Sequence, residues 1–272
     1  MKKQNILTAT ETEQAMRESR LIPVFHPLIN AGTERLYGAE VLARIVDPTI
    51  GVVTPDRFIA GVEDSDLIVP FTLALMRETI PVMTALSADR PGMQDKLLVA
   101  FNIPADMLRA PELLMACRYF IKNTPENICL ALELTERGRM AFTEAECRMV
   151  RVLKSAGVLL WLDDFGTGYS DFLALKSGLF DAIKIPREFM TTKDGCAVTD
   201  ALRQSITATG KRLNISVIAE GVEDARQMET LQREGIDFLQ GYLFSHPLSA
   251  EELLIYSGKD DFAGQKHPMA IP

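Results

Sequence analysis

Val158-Leu159-Leu160-Trp161-Leu162-Asp163-Asp164-Phe165-Gly166 is an unbroken apolar run that ends in two adjacent carboxylates and a glycine. An apolar run this short suits a buried strand better than a helix. The pattern recurs along the chain. Short apolar or β-branched runs at 21–25, 97–101, 128–132, 182–185, 216–219 and 238–239 alternate with stretches of helical spacing at 71–86, 111–122, 144–156, 198–213 and 224–234. Such alternation predicts βα units and a mostly parallel sheet. No Gly/Ser/Pro-rich linker divides the 272 residues, which suits one (β/α)8 TIM-like barrel, typically about 250 residues long. The barrel is expected over 21–257. Residues 1–20 are read as a helical lead-in, with Thr10-x-x-Glu13 in the form of a capping box, and 258–272 as a flexible tail.

Composition narrows the function. Apolar residues make up 47% of the chain and charged residues 24%, enough for a large core. The net charge of −8 speaks against binding duplex DNA, which needs a basic face. No apolar run approaches the roughly 20 residues of a membrane span. The start, Met1-Lys2-Lys3-Gln4-Asn5, lacks the apolar stretch of a secretory signal. Cys117, Cys129, Cys147 and Cys196 show no CxxC spacing and read as reduced thiols, so a cytoplasmic location is expected. No GxGxxG or P-loop motif is present.

The polar residue at the end of each apolar run carries the chemistry. Leu36-Tyr37-Gly38-Ala39 leads to Glu40, and the run ending at Phe101 to Asn102. Leu132 leads to Glu133, Leu162 to Asp163 and Asp164, and Ile183 to Lys184. Ala219 leads to Glu220 and Leu239 to Gln240. Barrel enzymes place their chemistry at the C-terminal ends of the strands, so these groups would converge on one mouth. Any single one of these carboxylates reads equally well as a helix cap or a solvated loop residue. Repeated at one structural place, they point to a metal cluster, since a carboxylate at the end of a buried strand needs a partner. All are hard oxygen donors, which suits Mg²⁺, Mn²⁺ or Ca²⁺. The ligands suffice for two ions, about 3.5–4 Å apart in two-metal phosphoryl chemistry. Lys184 would then stabilise charge on a phosphate, and Glu220 would serve as ligand or proton acceptor.

With these residues in place, the chain resembles the EAL family of cyclic di-GMP phosphodiesterases from about Leu21 to Glu252. The resemblance rests on Glu40-Val41-Leu42-Ala43-Arg44, Phe101-Asn102-Ile103, Glu133-Leu134-Thr135-Glu136, Asp163-Asp164-Phe165-Gly166-Thr167-Gly168-Tyr169-Ser170, Ile183-Lys184-Ile185, Ala219-Glu220-Gly221-Val222-Glu223 and Gln240-Gly241-Tyr242-Leu243-Phe244. It implies a barrel whose first strand is antiparallel to the rest. It also implies hydrolysis of cyclic di-GMP to linear pGpG with two Mg²⁺ or Mn²⁺ ions, in pathways such as motility and biofilm formation. Glu40, Asn102, Glu133, Asp163, Asp164 and Glu220 would hold the metals, with Glu40, Lys184 and Glu220 acting in catalysis. His26, Leu42, Arg44, Gln240 and Pro247 would meet the substrate, and Glu223 would lie nearby. Glu136 would hold the loop Phe165, Gly166, Thr167, Gly168, Tyr169 and Ser170, which the family uses to couple a homodimer to the metal site.

The chain departs from the family pattern at four places. Val41 replaces the middle alanine of the tripeptide, and Pro104 a serine. His26 stands where glutamine is usual. Pro186 replaces an aspartate, and a proline there threatens the strand end beside Lys184. Two alternatives therefore stand beside the enzyme: an EAL module that senses cyclic di-GMP or docks a regulatory protein with little or no turnover, and an unrelated metal-dependent barrel hydrolase.

Overall fold

Buried apolar strands separated by amphipathic helices have one compact solution, a sheet covered on its outer face. The computed structural model describes residues 7–88, 96–135, 142–167, 171–190 and 197–257. In chain order, α1 (Ala9–Arg17) is followed by β1 (Leu21–Asn30), β2 (Leu36–Asp47), β3 (Gly51–Val53), α2 (Ile59–Glu63), α3 (Ile68–Ala88), β4 (Leu97–Pro104) and α4 (Pro111–Asn123). Then come β5 (Ile128–Thr135), α5 (Glu144–Ser155), β6 (Leu159–Leu162), α6 (Asp171–Leu175), β7 (Ala182–Ile185), α7 (Ala197–Leu213), β8 (Ser216–Ala219), α8 (Ala225–Glu234), β9 (Phe238–Leu239) and α9 (Ala250–Ser257).

Eight strands close a barrel in the order β1-β9-β8-β7-β6-β5-β4-β2, with β2 pairing back onto β1. Neighbours from β2 through β9 run parallel. β1 is antiparallel to both its neighbours, pairing His26 with Glu40 on β2 and Ile29 with Leu239 on β9. The fold is therefore the expected TIM-like barrel with its first strand reversed. β3 lies outside the wall, hairpinned onto β2. Gly38 permits β2 and β4 to meet: a Cβ there would lie 2.1 Å from the Leu98 carbonyl oxygen.

Side chains alternate between the two faces of each strand. One set packs outward against the helices, in a cluster that includes Phe25, Val41, Phe101, Ile103, Leu132, Ile183 and Leu239. The other set fills the barrel. Leu28, Leu98, Ala100, Ala131, Trp161, Ala182 and Ile218 form a separate buried cluster inside it. The alanines leave room for the Trp161 indole, so the interior is a packed layer and not a channel.

Three details differ from the sequence reading. The capping box of α1 is Thr8 with Glu11, the Glu11 carboxylate accepting from the Thr8 N–H at 2.7 Å. Thr10 is already inside the first turn, and Glu13 instead pairs with Arg17 one turn on. Glu40, Asn102, Glu133 and Lys184 lie within strands, since backbone pairing runs past the apolar residues. Asn102 is in register with Glu133. Finally, α3 spans Ile68–Ala88 and has the length and mean hydropathy (1.2) of a membrane span. Phe71, Leu75, Met76, Met83 and Leu86 on it are buried in the core around the barrel. The segments 136–141, 168–170 and 258–272 lie outside the described residues, so the expectations for Glu136, Gly168, Tyr169, Ser170 and the tail do too.

Candidate active site

The functional side chains follow from the same alternation. Two residues beyond five of the seven members of the interior layer, the next inward position carries a polar group: Ala100 is followed by Asn102, Ala131 by Glu133, and Trp161 by Asp163. Ala182 is followed by Lys184, and Ile218 by Glu220. On the reversed β1 the step runs backwards, from Leu28 to His26. Where the regular ladder ends, backbone bonds continue it: the Asp163 N–H donates to the Leu134 carbonyl, Glu220 to Ile185 and Gln240 to Ala219.

Lys184 is at the centre and 2% exposed. Its ammonium pairs with Glu133 and Glu220, lies 3.2 Å from Glu40 Oε2 and 4.0 Å from Asp163 Oδ1. Asn102 Nδ2 donates to Glu40 Oε1 at 2.6 Å, and Gln240 Nε2 donates to Glu40 Oε2 at 3.0 Å. Four carboxylates thus surround one ammonium. The imbalance shows in their proton affinities. Burial pushes the Glu133 carboxyl far up, and Lys184 offsets this only in part. Burial likewise pushes Glu220 up to about 7, with Glu40 and Asp163 adding repulsion. Burial acts the same way on Glu40, but Lys184, His26 and the two amide donors outweigh it and hold that carboxyl low. Lys184 loses by burial and gains more from its four acids, so its pKa is raised. Burial lowers His26 to about 4, and the ring is neutral.

Oxygens of Glu133, Asp163 and Glu220 lie within 4.8 Å of one another, a spacing that one cation can bridge. Glu133 is fully buried; its Oε1 pairs with the Lys184 ammonium, and its Oε2 accepts no hydrogen bond among the described residues. A buried, over-negative oxygen cluster with one unpaired carboxylate oxygen fits a divalent cation of the hard, oxygen-seeking kind.

A cavity of about 310 Å³ opens over the cluster, lined by His26, Glu40, Asp163, Lys184, Glu220 and Gln240 among others. These six were all read from the sequence. Glu223 lines it too, and Asn102 reaches the cluster through Glu40. Other expected residues lie elsewhere. Asp164 is exposed with a φ of 49° and is not among the described lining residues. Leu42 lines a second cavity of about 260 Å³, shared with Asn102 and the start of α3. Arg44 is half-buried on β2 and donates to the Ala43 carbonyl. Pro247 is next to Leu248, whose backbone pairs with Phe25. Phe165 is buried, its N–H donating to the Lys184 carbonyl, while Gly166 and Thr167 are exposed.

The sequence reading missed Arg187 and Tyr242, both of which line the main cavity. Tyr242 packs against His246 with the rings tilted and their centroids 3.9 Å apart. Its place in Gln240-Gly241-Tyr242 was a usable signal, whereas nothing local marks Arg187. Pro186 does not disturb Lys184. It follows the last β7 residue, with φ −71°, and opens a 3₁₀ turn over Arg187–Phe189.

The EAL domain family model matches residues 9–247. The chain is 31% identical over 242 residues to the probable cyclic di-GMP phosphodiesterase PdeG of Escherichia coli (strain K12), covering 89% of this chain and 47% of PdeG. It is 30% identical over 251 residues to the cyclic di-GMP phosphodiesterase PdeL of the same organism, covering 92% of this chain and 68% of PdeL. Among solved structures, the PaMucR phosphodiesterase in complex with c-di-GMP, from Pseudomonas aeruginosa, superposes with a TM-score of 0.79 at 32% identity, over 90% of this chain and 98% of that one. The chain spans less than half the length of several curated relatives it matches. With the barrel, the reversed first strand and the ring of acids around Lys184 in one place, the chain belongs to the EAL domain family.

Proposed function

We propose that this barrel hydrolyses cyclic di-GMP, opening one phosphodiester to give linear pGpG, with two Mg²⁺ or Mn²⁺ ions as cofactors. The observation that carries the reading is the complete ring of Glu40, Asn102, Glu133, Asp163 and Glu220 around Lys184. Its relatives named as cyclic di-GMP phosphodiesterases supply the substrate. Glu40, Asn102, Glu133, Asp163 and Glu220 would hold the ions. Divalent ions bound there would lower the pKa of a water and neutralise charge on the phosphate.

The protein's own part is positioning and proton handling. Four acids fix the Lys184 ammonium at the floor of the mouth, where it faces the reacting phosphate and stabilises the charge that develops. Glu220, paired with Lys184 at the edge of the ring, would serve as metal ligand or proton acceptor. Gln240 and Asn102 hold Glu40 in one orientation by donating to its two oxygens. His26, Leu42, Arg44, Gln240 and Pro247 are assigned to substrate binding. A homodimer coupled to the site through residues 165–170 and Glu136, and a cytoplasmic place of action, complete the reading.

The test is purified protein with cyclic di-GMP and either metal, followed by chromatography for pGpG. Product under Mg²⁺ or Mn²⁺, lost in Glu40→Ala and Asp163→Ala, is the expected result. Binding without product under both metals would leave the second reading, a sensing module. What keeps that reading is His26, which lines the mouth at a position where the family usually has glutamine.

A further inference from the structure

Glu40, Asn102, Glu133 and Lys184 lie inside strands, where the ladder fixes them. Asp163 and Glu220 do not: each is the first residue past the end of its strand, β6 or β8. Yet their oxygens and those of Glu133 are held within 4.8 Å of one another, where like charges repel. Something beyond the ladder keeps the two loops in place. Strand β7 runs between β6 and β8, and its last residues take one bond from each loop. The Phe165 N–H donates to the Lys184 carbonyl and the Glu220 N–H to the Ile185 carbonyl.

The turn that continues β7, from Pro186 to Met190, touches both loops through side chains seated on glycines. A Cβ on Gly166, three residues after Asp163, would come within 2.8 Å of Phe189 Cζ. A Cβ on Gly221, next to Glu220, would come within 2.6 Å of Arg187 Cβ. Both glycines have positive φ, 101° and 69°, so the backbone of each loop lies directly against the turn. The turn is itself fixed from behind. Pro186 opens it with φ −71°. Arg203 on α7, buried and bonded twice to Glu234, donates to the Phe189 carbonyl at 2.9 Å. Gln227 on α8 donates to the Met190 carbonyl at 3.0 Å, and its oxygen accepts from the Glu223 N–H at 2.7 Å. A rigid wedge therefore stands between the Asp163 loop and the Glu220 loop, backed by two helices.

We propose that Phe189 is a positioning residue for the metal site. Its ring, seated on Gly166, braces the Asp163 loop against the Glu220 loop and holds the two carboxylates at the spacing a divalent ion bridges. The assignment rests on the reading of the acid ring as a metal site. Phe189 acts through the loops, for it is not among the described residues that line the main cavity.

The test measures Mn²⁺ and Mg²⁺ affinity by calorimetry, without nucleotide, on the parent, Phe189→Ala and Phe189→Leu. Thermal melts of the metal-free proteins check that each is folded at the measuring temperature. Phe189→Ala should weaken both ions about 10- to 100-fold, the range found when groups that orient metal ligands are removed. Phe189→Leu refills most of the space over Gly166 and should recover most of that loss. Turnover of cyclic di-GMP by Phe189→Ala should fall at limiting metal and return close to the parent's at saturating metal. Equal ion affinities in parent and Phe189→Ala would overturn the assignment, whatever happens to the melting temperature. Should Phe189→Ala fail to fold, Gly166→Ala attacks the same contact from the loop side, setting a methyl 2.8 Å from the ring. It too should weaken both ions, and parental affinity there would overturn the assignment as well. A parent that binds neither ion would overturn the metal reading and this assignment together.

Discussion

Two layers fill the barrel, one above the other, and they obey opposite rules. The lower one, around Trp161, is apolar and closely packed. The upper one, two residues further along the same strands, holds four carboxylates against one ammonium. The backbone is continuous through both, so the contrast lies wholly in side chains. The lower layer derives its stability from burial and shape. In the upper layer burial acts against the charges, and the raised pKa values of Glu133 and Glu220 record it. The difference teaches that the barrel is rigid where it is apolar, and that this rigidity holds a frustrated set of charges in place above.

Substitutions on either side should separate the layers. Glu133→Gln keeps shape and removes a charge. Turnover of cyclic di-GMP should fall about 10⁴-fold, or ~5.4 kcal/mol in the transition state, while denaturant unfolding of the metal-free protein shows no loss of stability. A large loss would mean that the upper layer also supports the fold. Trp161→Ala, one layer down, should do the reverse and cost about 3–5 kcal/mol in the same unfolding experiment. Metal sharpens the contrast further. A divalent ion at 100 times its dissociation constant should stabilise the parent by about 2.7 kcal/mol, and Glu133→Gln much less, measured as the shift in unfolding midpoint.

A further contrast concerns pH. Glu220 has its folded pKa raised to about 7 from 4.5. Below pH 4.5 the group is protonated in folded and unfolded chains alike. Between there and 7 only the folded chain keeps the proton, so its contribution is present at low pH and lost as pH rises through 7. In chelated protein, stability should therefore decline over that window by at most about 1.4 kcal/mol per pH unit from this group, and Glu220→Gln should flatten the slope. A parent profile that is flat or rising, and unaltered by the substitution, would show that Glu220 ionises normally.

Much of this was legible in the sequence, because a short apolar run ending in a polar residue is a local signal. Glu133 and Lys184 could be placed at the mouth from their own neighbours. Their register was not legible, since pairing Asn102 with Glu133 depends on strands 31 residues apart. Asp163 and Asp164 looked equivalent as neighbours. Adjacent residues leave an extended chain on opposite sides, and the left-handed turn at Asp164 carries it to the surface. Arg187 was invisible because it reaches the site from a turn, by packing over a glycine from another strand's loop. The reversal of β1 came only through family resemblance, for a buried apolar strand reads the same in both directions.

That reversed strand governs the order of assembly. β1 pairs with β2 close by in sequence, but its other edge must wait for β9, joining Ile29 to Leu239 across most of the chain. Contacts of such long sequence separation are slow to form. The same late strand delivers Gln240, whose amide donates to Glu40 and approaches the His26 carbonyl. Until the circle closes, Glu40 lacks one of its two amide donors. A nascent or partly folded chain is therefore incompetent at the site even with every acid synthesised, and activity recovered on refolding should track barrel closure rather than the earlier appearance of helix.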